Sequence, residues 1–150
     1  MKYAANGDYL LEWGTSGSGS GEFSTPHDLA MDSQGRLFVG DRGNSRIQIF
    51  EQDGTFVDAW SNFGRPSGIY INKATDTLYS TDSTSNANTN PGTRRGIYIG
   101  SARTGDLQYF IPDPDLGLAD QTRISGASGI SSSHDLSLIH ISEPTRPRLI

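Results

Sequence analysis

The sequence predicts an all-β chain made of four-stranded repeats, the blades of a β-propeller, and three observations carry that prediction. Apolar residues alternate over short runs, as strands with one buried face require. Each run stops at Gly, Asn or Asp, residues that supply turn geometry. The order of the runs then returns: Pro26 to Pro66 is 40 positions and Asp41 to Asp82 is 41. A four-strand period of roughly 40 residues marks a propeller, in which each sheet is one blade.

Taken in chain order, "NGDYLLEWG" (Asn6–Gly14) looks like the end of a first unit, because its Gly7 and Trp13 return as Gly54 and Trp60. "GTSGSGSGE" (Gly14–Glu22) is Gly-rich, yet it lacks the Gly-Lys-Ser/Thr ending of a phosphate loop and opens no helix, so it reads as the connection between blades. Four strands follow at Asp28–Asp32, Arg36–Asp41, Arg46–Glu51 and Thr55–Trp60. Their separators SQG, RGNS and QDG are short enough to force antiparallel pairing through tight turns, with Gly35 and Gly54 available for positive φ. The same order returns at Pro66–Asn72, Thr77–Ser83, Gly96–Ala102 and Asp106–Ile111. Between Gly54 and Gly105 the interval grows to 51, because the polar stretch Thr84–Arg95 replaces the four-residue turn. "GASGIS" (Gly126–Ser131) then opens like "RPSGIY" and breaks off.

The domain reading is a partial propeller over 1–131, comprising a blade end at 1–14, a blade at 26–60, a blade at 65–111 and a blade start at 126–131. Two complete and two partial blades fall short of the roughly 4 to 8 that close a ring. The chain is therefore expected to be a fragment whose open blade faces make it aggregate or stay partly unfolded. Residues 132–150 are expected to be a junction and a non-native tail, since Leu136–Arg146 resembles the conceptual translation of a transposase adapter used for sequencing libraries. That sets aside His134 and His140 and leaves His27 as the histidine to consider.

Twelve basic against 17 acidic residues give a net charge of -5 with no block of like charges and no basic stripe, which argues against nucleic acid as a partner. No apolar run approaches the roughly 18 residues of a membrane span, and Met1–Leu11 lacks the basic start and apolar middle of a signal peptide. The absence of cysteine excludes disulfides and thiolate chemistry while leaving the compartment open.

The stretch "GEFSTPHDLAMDSQGRLFVGDRGNSRIQIFEQDG" (Gly21–Gly54) resembles an NHL repeat. More narrowly, it is similar to the metal-bearing blades of the six-bladed, TolB-like propellers of the peptidyl-α-hydroxyglycine α-amidating lyase family. The likeness is good over Gly7–Trp60 and weaker from Arg65 to about Ile130. It implies a zinc ion in the channel, held by three histidines in Pro-His contexts on three blades. His27 in "TPHDLA" stands at one such position. A neutral imidazole suits zinc, and an open coordination position would make the metal a Lewis acid. Ser67 and Ser128 stand where the next ligands would be, so further ligands are expected on blades outside this sequence. The resemblance also implies a catalytic, substrate-facing role for Arg42 in "VGDRGNSRIQIF", whose planar fork suits a carboxylate or a developing oxyanion. A plain turn residue explains Arg42 as well. Asp28 is implied as a calcium ligand, although an ordinary strand-start Asp fits the position equally. The resemblance implies that the family's catalytic tyrosine is expected on a blade outside this sequence, so no catalytic base is named, and export of relatives implies a secreted or periplasmic location.

Two functions remain open. One is a scaffold holding a peptide, protein or glycan on polar loops, the Thr84–Arg95 insertion among them. The alternative is a zinc-dependent C–N lyase that cleaves a peptidyl hydroxyglycine into an amide and glyoxylate. Asp41 and Asp82 recur at one blade position and are expected to accept turn N–H bonds, Trp13 and Trp60 to pack between blades. "PDPDL", with Asp113 and Asp115, reads as a stiff solvated loop.

Overall fold

The computed structural model describes residues 1–113. The blade start expected at 126–131, Ser128, Asp115, His134, His140 and the 136–150 tail lie outside the described residues. Twelve short strands form among the described residues: β1 (Lys2–Tyr3), β2 (Tyr9–Leu11), β3 (Thr15–Ser16), β4 (Glu22–Phe23), β5 (Pro26–Met31), β6 (Leu37–Asp41), β7 (Arg46–Phe50), β8 (Phe56–Trp60), β9 (Pro66–Asn72), β10 (Thr77–Asp82), β11 (Gly96–Ser101) and β12 (Leu107–Pro112). The first blade is the antiparallel meander β5-β6-β7-β8 and the second is β9-β10-β11-β12. Before them, β1 and β2 form a small antiparallel pair. This is the all-β blade architecture of an NHL-type propeller, and among the described residues no helix is long and apolar enough to cross a membrane.

Two turns carry the positive φ anticipated for them, Gly35 at 84° and Gly54 at 92°. The RGNS turn differs from a plain tight turn: Arg42–Asn44 winds into a 3-10 turn that ends at Ser45 in the left-handed region with φ 54°. The inter-blade connection also gains order, because β3 and β4 pair in parallel. Side chains from the first blade hold it there: Asn44 Nδ2 donates to the Gly17 carbonyl at 2.8 Å, Arg46 Nη2 to the Gly19 and Glu22 carbonyls, and Gln48 Nε2 to Glu22 at 2.7 Å.

Each blade has a near face toward the chain start and a far face toward the following blade. Phe38, Ile47 and Ile49 on the first blade's far face meet Phe63, Ile69, Ile71, Leu78 and Tyr98 of the second in one core. Full burial of each such side chain stabilises by about 1.5–3 kcal/mol before entropy is counted. Toward the circumference, a tryptophan from one unit covers a turn glycine of the next. A Cβ at Gly54 would stand 2.9 Å from the Trp13 ring, and one at Gly105 2.8 Å from the Trp60 ring. The recurring Trp and Gly are thus two halves of one inter-blade contact.

Candidate functional site

Strand register decides which residues gather. Pro26 pairs with Asp41 and Asp41 with Arg46; in the second blade Pro66 pairs with Asp82 and Asp82 with Gly96. The starts of β5, β9, β7 and β11 therefore lie at the same edge as the ends of β6 and β10. His27, Asp28, Arg42, Arg65, Ser67 and the 84–95 loop all share that rim.

Two buried aspartates organise it. Asp41 is fully buried. Its Oδ1 accepts the Ser24 N–H at 2.7 Å, and its Oδ2 accepts Asn44 Nδ2 at 2.8 Å, Arg46 Nε at 2.9 Å and Gln48 Nε2 at 3.1 Å. Asp82, also fully buried, accepts the Arg65 N–H at 2.7 Å, the Thr84 and Ser85 N–H groups and the Ser85 hydroxyl. Each clamps a backbone N–H 17 residues upstream. Both are structural, as their recurrence indicated.

Arg42 opens the 3-10 turn, and its Nε is buried with no hydrogen-bond acceptor among the described residues. Arg65 is half-buried and donates from Nη1 to Thr84 Oγ1 at 2.7 Å. Burial, then the nearby Arg42 charge, lower the Arg65 pKa below the usual arginine range, with Asp82 opposing. A guanidinium normally holds its proton through such perturbation, so both stay cationic and repel. Sequence reasoning singled out Arg42 but missed Arg65, whose place depends on how the second blade docks.

His27 is exposed, and its Nδ1 lies 2.7 Å from the Ser67 carbonyl. A carbonyl only accepts, so Nδ1 carries the hydrogen and the neutral ring keeps its lone pair on Nε2. Ser67 is buried, with its hydroxyl 2.9 Å from that of Ser83. Asp28 uses both oxygens on backbone, accepting Leu29 N–H at 2.8 Å and Ile69 N–H at 2.8 Å, the second across the blade boundary. Among the described residues no three His, Cys, Asp or Glu side chains group closely enough to hold a metal ion.

The inserted loop is built by its own asparagines: Asn86 Oδ1 accepts Asn88 N–H at 2.8 Å and Thr89 N–H at 2.9 Å, and Asn90 takes φ 57°. Arg94 is exposed, its guanidinium 5.6 Å above the Phe110 ring. Asp113 corrects the solvated-loop reading of "PDPDL": it is buried and lies 3.7 Å from Arg95, because β12 carries it back under the loop.

Residues 23–50 match the model of the NHL repeat. The chain is 45% identical over 58 residues to human NHL repeat-containing protein 3, covering 37% of this chain and 17% of that protein. It is 46% identical over 48 residues to protein lin-41 of Caenorhabditis elegans, covering 32% of this chain and 4% of that one. It is also 43% identical over 63 residues to peptidyl-glycine alpha-amidating monooxygenase B of Xenopus laevis, covering 38% of this chain and 7% of that enzyme. The chain thus spans less than a fifth of the length of these curated relatives.

Proposed function

We propose that this chain, built on NHL-repeat propeller blades, is a binding scaffold that holds an acidic peptide or protein segment on its rim. The observation that carries the reading is the meeting of two half-buried guanidiniums on the rim, Arg42 at the end of β6 and Arg65 at the start of β9, near enough that the Arg42 charge helps to lower the Arg65 pKa. Like charges held this near raise the energy of the empty rim. A carboxylate seated across their outer nitrogens offsets that cost through charge-assisted, fork-like hydrogen bonds. The neighbouring 84–95 loop supplies polar groups and the exposed Arg94 for the remainder of such a segment.

The lyase alternative keeps one supporting feature: His27 presents a lone pair on Nε2 while its Nδ1–H is fixed by a carbonyl, a common posture of metal-bound histidine. The described residues do not complete a zinc set around it, because Ser67 stands at the equivalent place on the next blade and its hydroxyl bonds Ser83. No metal-dependent step follows from these residues.

Fluorescence anisotropy of a labelled octaglutamate peptide tests the scaffold, with octaglutamine as the neutral control. The acidic peptide is expected to bind, to weaken as salt rises, and to lose about tenfold or more in affinity in Arg42→Ala, since a charged hydrogen bond contributes about 1.5–3 kcal/mol. Equal binding of the neutral peptide, or an Arg42→Ala chain that binds as tightly as the parent, removes the reading.

A further inference from the structure

Granted the scaffold reading above, on which this inference rests, we infer that the acidic group held on the rim is a phosphate monoester, carried by a phosphorylated side chain of the bound segment.

Most arginines of the two blades are neutralised where they stand. Arg36 meets Asp32 at 2.8 Å, Arg46 meets Asp41 at 2.9 Å, Arg103 meets Asp76 at 2.9 Å, and Arg95 lies 3.7 Å from Asp113. Among the described residues Arg42 and Arg65 have no such partner. The carboxylates of the rim are committed to other donors. Asp41 accepts from the Ser24 N–H and from Asn44, Arg46 and Gln48. Asp82 accepts from the Arg65, Thr84 and Ser85 N–H groups and the Ser85 hydroxyl, and Asp28 from the Leu29 and Ile69 N–H groups. Asp82 does favour the Arg65 charge, but the repulsion from Arg42 outweighs it. The outer nitrogens of both guanidiniums are left for a ligand.

Their placement selects the shape of that ligand. The two arginines issue from different sheets at one contact, since a Cβ on Gly40 would lie 3.3 Å from Pro66 Cβ. The chain reaches Arg42 just beyond that contact and leaves Arg65 just before it. Arg65 is held in place there, by its N–H on Asp82 and by Nη1 on Thr84 Oγ1 at 2.7 Å, so its fork is ordered in advance of binding. Two forks that come from two sheets need acceptor oxygens outside a single plane. A carboxylate has two coplanar oxygens, which fill one fork and leave the second guanidinium an edge contact. A phosphate monoester has three acceptor oxygens set as a tripod and about −1.5 to −2 charge near pH 7. Two oxygens enter one fork while the third meets the other guanidinium. A phosphodiester offers two free oxygens and one charge, so a nucleic-acid backbone fits this pair less well.

Fluorescence anisotropy of the intact chain with four labelled short peptides tests the inference. The peptides consist of Gly and Ala around one central residue: phosphoserine, glutamate, serine, or the methyl diester of phosphoserine. The phosphoserine peptide is expected to bind about tenfold or more tightly than each of the others. Inorganic phosphate is expected to displace it only at far higher concentration than the unlabelled peptide does. Arg42→Lys and Arg65→Lys keep the charge but lose the fork, and each is expected to cut the preference for phosphoserine over glutamate about fivefold or more while the parent's circular dichroism is retained. Glutamate or diester peptides that bind as tightly as phosphoserine overturn the inference, as does an undiminished preference in both lysine variants. Inorganic phosphate that competes as well as the unlabelled peptide shows a free-anion site and overturns it too. Binding of octaglutamate with no gain from phosphoserine defeats this inference alone, whereas binding by none of the acidic probes defeats the scaffold reading with it.

Discussion

Asp76 joins residues that the sequence keeps far apart. Its carboxylate accepts the Ser33 N–H at 2.9 Å, the Ser33 hydroxyl at 2.6 Å and Arg103 Nε at 2.9 Å, and so ties a turn of the first blade to two turns of the second. The Ser33 hydrogen bonds, with help from Arg103, hold its pKa below the ordinary 3.8, against burial that pushes it up. A depressed folded-state pKa means that the stabilisation is present above the unfolded value near 3.8 and is lost as pH falls through the folded value. The urea midpoint of the parent should therefore drop below about pH 4, and the gap between parent and Asp76→Asn should shrink over the same range. A gap that is constant from pH 3 to pH 6 would show that charge plays no part in this joint. Asp76 was invisible in the sequence, because its partners lie 43 and 27 residues away and its φ of 51° belongs to a turn with no Gly to announce it. Asp41 and Asp82 were legible because the repeat displays them twice.

Strands were the most legible elements, since alternation fixes which face is buried and turn residues fix where a strand stops. The β3-β4 pair was not, because side chains of Asn44, Arg46 and Gln48, 24 to 27 residues further along the chain, hold it, and neither was the 3-10 turn at Arg42, which a local hydrogen bond from Asn44 to Asp41 secures. The repeated bulges at Leu10, Val57 and Gln108 were equally hidden, although they kink each outer strand and make it a poorer template for edge-to-edge association. The glycine ahead of each bulge separates two costs that sequence alone cannot divide. Gly7 and Gly105 both need positive φ, but a Cβ at Gly7 meets nothing within 4 Å whereas one at Gly105 meets Trp60 at 2.8 Å. Gly7→Ala should cost about 1 kcal/mol of backbone strain, and Gly105→Ala about 2–4 kcal/mol once the indole must also move. Chemical denaturation of the two variants measures the difference. Equal losses would mean that the Trp60 contact gives way freely and does not lock the blades.

Across the whole molecule, the site was legible as far as one blade could show it. His27, Asp28 and Arg42 come together because strand pairing brings the start of β5 to the end of β6, a consequence of the meander itself. Arg65 and the Ser67 carbonyl join them only through the stacking of the second blade on the first, which no local pattern encodes. That stacking should also govern stability. A four-stranded sheet has two faces, and for these blades one face of each is buried only by its neighbour, so neither blade retains a core alone. Phe38 is the sharpest probe: it belongs to β6, is fully buried, and packs edge-on to Trp60 at 5.6 Å within the cluster that holds Phe63, Ile69 and Leu78. Phe38→Ala should cost about 3–5 kcal/mol through lost transfer energy and the cavity left behind. The more telling expectation is where that loss is felt. If the blades fold as one unit, the fluorescence of Trp60 and the exchange protection of the β11 amides, in the adjoining blade, fall together at the same lower denaturant midpoint. If the β11 amides stay protected while the Trp60 signal is lost, the second blade has a core of its own, and the rim shared by Arg42 and Arg65 becomes a contact between independently folding blades.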